Sequence, residues 1–296
     1  MDVIASAWQT ATPLILAALA GALAQRTGIW HLGLGGLMSI GALLAVVAGS
    51  ATGSMLLGVG GAVLGCMAFS AIMWAAIVPL RANPIIVGIG INAIGLGGTT
   101  LAVVAIYGRE GTVYSDVSLP RPLDFLPGAL GNLSVIALLA PVVIVLVWIL
   151  ACRTRFGLAL TATGDYPFAA RSAGISLPRM RLWALLLGGA LCALSGAELA
   201  AGPLGAFSPG MEAGRGLIAF AAVILGAAHP LGVAAAALFF GAVNYLGIWA
   251  QINWSGAVDP NIMLMLPYVV TVIAVVVTAR LRGANKKQNL GEMRSL

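Results

Sequence analysis

Thr27–Leu80 reads TGIWHLGLGGLMSIGALLAVVAGSATGSMLLGVGGAVLGCMAFSAIMWAAIVPL and contains no Asp, Glu, Lys or Arg. A helix needs about 20 predominantly apolar residues to cross a bilayer, so this stretch alone is long enough to cross twice. The rest of the chain has the same character. Of its 296 residues, 60% are hydrophobic and only 8% charged, with a mean hydropathy of +1.04. A soluble domain carries roughly 25% charged residues, so most of this surface must face lipid. Spanning segments have to satisfy their backbone polar groups internally. The fold class is therefore all-α, a polytopic transmembrane helical bundle.

Apolar runs at 8–25, 33–49, 55–79, 84–107, 130–151, 182–201, 213–228, 231–249 and 262–280 predict about nine spans, eight to ten depending on the segments below, in one domain over 1–296. The net charge of +6 is concentrated in two basic clusters, Arg153–Arg181 and Arg280–Arg294. Bases collect in cytoplasmic loops, which places 152–181 and the tail 281–296 inside, along with Arg26 and Arg81. The segment from Arg109 to Asp124 sets Arg109 and Arg121 against Glu110, Asp116 and Asp124 and falls outside. The N-terminus is then external and the C-terminus cytoplasmic. These bases read as topology and headgroup charges rather than as a nucleic-acid footprint. The first segment lacks a basic start and a small-residue cleavage site, and is expected to be a retained span. Cys66, Cys152 and Cys192 are widely spaced in apolar runs, and His31 and His229 lie far apart, so no metal or disulfide pattern is expected.

Two runs are irregular. GIWHLGLGGLMSIG, Gly28–Gly41, holds five glycines and His31, and 213–228 breaks at His229-Pro230. Irregular backbone at membrane depth survives where protein or a water-filled cavity shelters it, so both are candidates for broken or re-entrant helices. Close helix packing through glycine is the competing explanation. Trp30, His31 and Asn92 are the candidates to line a substrate pathway. Glu198, near the outer end of the sixth apolar segment, is placed where water reaches it, with Arg215 as partner in an outer ion pair.

One polar island interrupts the greasy chain: GDYPFAARSAGI, Gly164–Ile175. Asp165 is suited to cap a short helix, Pro167 to its first turn and Gly174 to its end. Two or three turns are marginal alone in water, so either a partner's groove holds this helix or the segment is an ordered loop. FGLALTATGDYPFAARSAGIS resembles the coupling loop of permease subunits of bacterial ABC importers, in the branched-chain amino acid, simple sugar and nucleoside group. RTGIWHLGLGGLMSIGA, NPIIVGIGINAIGLG, GRGLIAFAAVILGAAHPLGVAAAALFFG and LPYVVTVIAVV resemble further motifs of that family in the same order, over roughly residues 14–280.

The resemblance is nearest to the nucleoside and simple-sugar branch. It implies that Gly164, Asp165, Pro167, Ala169, Ala170, Arg171 and Gly174 contact a cytoplasmic ATPase, with Ala169, Ala170 and Ala173 allowing close approach. It also implies a second permease copy or paralogue, an extracytoplasmic substrate-binding protein and a bacterial inner membrane. ATP and Mg2+ would sit on the ATPase, with no cofactor or catalytic residue in this chain. One departure stands out. Where that branch shows asparagine and glutamate in its N-terminal motif, this chain has His31 and Gly35, which leaves the substrate open. Branched-chain amino acids or another small polar solute are the alternative cargo. An intramembrane enzyme needs paired acids or a His-rich cluster, which the sequence lacks. A secondary transporter buries charged ion sites in its spans, and mid-span charges are nearly absent.

Overall fold

The computed structural model describes residues 2–115, 117–123, 131–202 and 205–253, with residues 269, 270, 272, 273 and 276. Most of the expected ninth span (262–280), the whole tail 281–296 and the acids Asp116 and Asp124 lie outside the described residues.

The helices follow in order: α1 (Asp2–Arg26), α2 (Leu34–Thr52), α3 (Met55–Ile77), α4 (Pro84–Ala93), a π-helical turn (Ile94–Gly98) and α5 (Thr99–Tyr107). After a short strand β1 (Val113–Tyr114) come α6 (Val135–Arg153), α7 (Arg155–Asp165), α8 (Pro167–Ser172) and α9 (Leu177–Ala201). The strand β2 (Ala206–Phe207), α10 (Arg215–Leu225) and α11 (Pro230–Asn253) complete the described chain. Among the described residues seven stretches are long and apolar enough to cross a membrane, with α4 and α5 forming one. The apolar runs located these helices. α9 starts ahead of its run because Pro178, Arg179 and Arg181 sit within its first turns, where a basic helix end escapes a hydropathy reading.

A helix buried all round belongs at the centre of a bundle, and α1 is buried continuously from Ala11 to Ala24. Its alanine-rich surface lets α9, α11 and α6 come close. Ser195 Oγ of α9 donates to the Pro13 carbonyl at 2.6 Å, and Trp8 Nε1 donates to the Ala137 carbonyl of α6 at 2.8 Å. By contrast α3, α5 and α6 leave Leu64, Leu101 and Leu146 exposed, the faces that acyl chains would cover.

The two ends of the bundle differ. At the basic end the Arg26 guanidinium donates to the carbonyls of Ala151 in α6 and Ala228 in the α10–α11 turn, tying three elements together. Trp74 Nε1 joins α3 to the start of α9 through the Pro178 carbonyl at 2.9 Å. At the opposite end β1 pairs antiparallel with β2, Val113 facing Phe207. The irregular run at Gly28–Gly41 resolves into a loop over 27–33 and an unbroken α2, so its break precedes the helix. The run 213–228 becomes the short α10, bounded by left-handed Ala213 and Gly214 before it and by Ala227 and Ala228 after it.

Candidate functional site

α2 begins without a side-chain cap of its own, which leaves its first backbone N–H groups to find partners elsewhere. Asn92 of α4 supplies one. Its Oδ1 accepts from the Gly36 N–H at 2.7 Å, and its Nδ2 donates to the Leu32 carbonyl at 2.8 Å. That reach requires backbones in contact. A Cβ on Gly36 would lie 2.2 Å from the Ile91 carbonyl oxygen, and one on Gly95 would lie 2.3 Å from Gly36 Cα. Gly95 belongs to the π-helical turn, a feature common at functional positions inside helices. On the other side α10 begins against the same place, where a Cβ on Gly216 would meet the Gly35 nitrogen at 2.3 Å. Glycine packing and polar contact thus operate together where 32–36, 91–95 and 212–216 converge.

Glu212 completes this crossing. A Cβ added to Gly35 would stand 3.1 Å from Glu212 Oε2 and 3.5 Å from Asn92 Oδ1. A carboxylate therefore occupies the space into which a glutamate at position 35 would extend, donated by a different segment. The sequence reading missed Glu212. Its signal was an acid inside the glycine-flanked GMEAGRG, just ahead of a helix. Of the other pathway candidates, Trp30 is half-exposed and its ring lies 5.9 Å from that of Phe220 on α10. His31 turns inward and is buried. Burial pushes its imidazole down to about 4, and neither ring nitrogen has a hydrogen-bond partner among the described residues.

Glu198 is not water-exposed as expected; it is fully buried. Gln9 Nε2 donates to its Oε1 at 3.0 Å and Ser134 Oγ donates to its Oε2, so two other elements close over it. Ser134 also caps α6 by accepting from the Ala137 N–H at 3.0 Å. The carboxylate's hydrogen bonds come from these uncharged groups rather than from Arg215. Arg215 lines the same cavity of about 130 Å³ and donates to the Met211 carbonyl at 2.9 Å.

The polar island lies at the basic end. Thr154 Oγ1 caps α7 by accepting from the Gly157 N–H at 3.1 Å, and α7 buries Gly157, Leu160 and Thr163. Gly164 serves close approach: a Cβ there would sit 2.4 Å from the Arg26 carbonyl oxygen. Asp165 is the exposed last residue of α7, not the cap of the next helix; Tyr166 forms the junction to α8. α8 is only six residues long, with Pro167 in its first turn. Gly174, at φ +82°, ends this short helical segment as expected, while the Ile175 N–H returns to the Ala170 carbonyl at 2.9 Å. Ala170 faces the bundle at 3% exposure, whereas Phe168 is 85% and Tyr166 72% exposed. Two exposed aromatic rings thus stand on this polar segment, where composition had pointed to the alanines instead.

Residues 3–275 match the family described as branched-chain amino acid transport system, permease component. The chain belongs to this permease family. It is 33% identical to a guanosine ABC transporter permease protein of Bacillus subtilis over 284 residues, covering 89% of this chain and 88% of that one. A nucleoside ABC transporter permease protein of Lactococcus lactis is 34% identical, covering 88% of this chain and 87% of its own. A putative glucose ABC transporter permease protein of Haloferax volcanii is 31% identical, covering 73% and 68% respectively. No solved structure gives a significant match. The ABC permease is thus a multi-pass membrane protein and a transport component.

Proposed function

We propose that this permease carries a nucleoside across the bacterial inner membrane as one of two permease subunits of an ATP-driven importer. Relatives named for guanosine and for nucleosides support the substrate class, since each aligns over nearly nine-tenths of this chain. The glucose relative favours a simple sugar as the second reading. Hydrolysis belongs to a separate cytoplasmic ATPase carrying ATP and Mg2+, and a substrate-binding protein delivers the cargo from outside.

The observation that carries the coupling is α8. It sits at the basic end of the bundle, its inner face seated by Ala170 and its outer face offering Tyr166 and Phe168. An ATPase gripping that face moves α7 with it, and α7 bears on the end of α1 through Gly164. Closure of two ATPases then repositions α1, the central helix. Energy enters only through differential interaction with the two transporter states. At the α2–α4–α10 crossing, Glu212 and Asn92 present a carboxylate and an amide suited to ribose hydroxyls and base edges.

Uptake by inverted vesicles is the wrong geometry, so whole cells expressing the permease with its neighbouring genes are the assay. Labelled guanosine should accumulate, with unlabelled nucleosides competing and leucine not. Competition by glucose but not by nucleosides would shift the assignment to sugar. Accumulation that survives an inactive ATPase would overturn the ABC mechanism itself.

A further inference from the structure

A cavity of about 550 Å³ opens at the basic end between the α3–α4 turn, α8 and the start of α9. Arg81, Arg171 and Arg181 line it, and none of its lining residues is acidic. Ile77, Val78 and Leu177 give it an apolar part. Arg81 stands at φ +54°, a backbone conformation that a bulky residue adopts only under strain. The Nε of Arg181 is buried and lacks a hydrogen-bond partner among the described residues. Three like charges sharing a hollow repel one another, and an orphaned buried donor adds to the cost. One anion resolves both.

The volume falls within the range of small-molecule sites, roughly 300–1,000 Å³. The guanidinium fork matches a phosphate in pairs of hydrogen bonds. Beside the cavity Leu80, Ile85 and Ile86 are exposed, so it borders the lipid-facing surface at the level where α3 ends and α4 and α9 begin. We infer that this cavity binds a phosphate ester anion, presented by the headgroup of an anionic phospholipid whose glycerol and upper acyl chain cover Ile77, Val78 and Leu177. Because Arg171 belongs to α8, the bound headgroup joins the ATPase-facing helix to the α3–α4 turn. Coupling through α8 therefore depends on lipid charge.

The test uses the permease co-expressed with its partners, delipidated and reconstituted in nanodiscs of phosphatidylcholine alone or with phosphatidylglycerol. Native mass spectrometry should find phosphatidylglycerol retained, and the unfolding midpoint should rise with it. The double variant Arg81→Gln, Arg181→Gln should weaken retention by about tenfold, in keeping with lost charge-assisted hydrogen bonds, while Arg81→Lys, Arg181→Lys recovers part of it. Glycerol 1-phosphate added to phosphatidylcholine nanodiscs separates the sources. If it raises the midpoint of the wild type as far as phosphatidylglycerol does, and not that of the Gln variant, the anion site stands with a soluble ester as its ligand. Equal retention by wild type and Gln variant, with no effect of either phosphate, overturns the proposal. So does a Gln variant that keeps its lipid and loses only the ATPase, since the arginines then serve the protein partner. Should the double variant fail to fold, Arg81→Gln alone, on the exposed turn, is read in the same way.

Discussion

At the scale of single residues the decisive feature is a carboxylate supplied from an unexpected place. Glu212 reaches beside Gly35, and the first atom a Cβ on Gly35 would meet is that carboxylate oxygen. Glu212→Gln should therefore lower uptake at least about tenfold with unchanged membrane abundance, the scale of one lost charge-assisted hydrogen bond. Glu212→Ala empties the space, so adding Gly35→Glu to it should restore part of the uptake. Wild-type uptake by Glu212→Gln would sink this role. His31 gives a pH prediction. Its folded value of about 4 lies below the ordinary imidazole value of 6.5, so the unfolded chain takes up the proton first. Stability is then full above pH 6.5 and is lost progressively as the pH drops from there toward 4. Thermal unfolding of His31→Gln should lack that component between pH 6.5 and 4; identical pH profiles would refute it. Asn92 was legible as an unusual polar residue in a span. Its bond to Gly36 was not, because a partner 56 positions away is set by packing.

At the scale of elements, α8 separates what sequence shows from what it hides. The end signals Pro167 and Gly174 were readable because each acts on its own backbone. Which face points outward depends on how α7 lies against α6 and the end of α1, and that follows from Gly157 and Gly164 permitting close contact. The consequence is a division between two substitutions. Phe168→Ala removes a ring that contacts nothing in the bundle core, so the permease should insert and stay as stable as the wild type. Its co-purification with the ATPase should drop by roughly thirtyfold if the ring fills a pocket worth about 2 kcal/mol. Ala170→Trp acts on the permease instead. Overfilling a buried position costs about 1–3 kcal/mol, and its unfolding midpoint should fall even without an ATPase. A Phe168→Ala complex that remains intact and hydrolyses ATP at the normal rate would move the handle elsewhere.

At the scale of the molecule, hydropathy located the seven spans among the described residues, whereas the run 213–228 yielded only the short α10. The central position of α1 stayed hidden, since its apolarity resembles that of the lipid-facing helices and only its alanine content distinguishes it. Orientation follows from charge. Arg26, Arg153 and the arginines around the cavity gather at one end, while β1 and β2 pair at the other. By the positive-inside bias we propose that the basic end is cytoplasmic. Cysteine labelling tests this in intact cells, and the structure simplifies the design. Cys66 and Cys192 are buried, so only the exposed Cys152 has to be replaced. In a Cys152→Ser background, Thr112→Cys on the exposed loop before β1 should react with a membrane-impermeant maleimide added to sealed cells. Ser172→Cys on α8 should react only after the membrane is opened. Labelling of Ser172→Cys in sealed cells would invert the topology, and with it the assignment of α8 to a cytoplasmic ATPase, because the helix and its proposed partner would then stand on opposite sides of the bilayer.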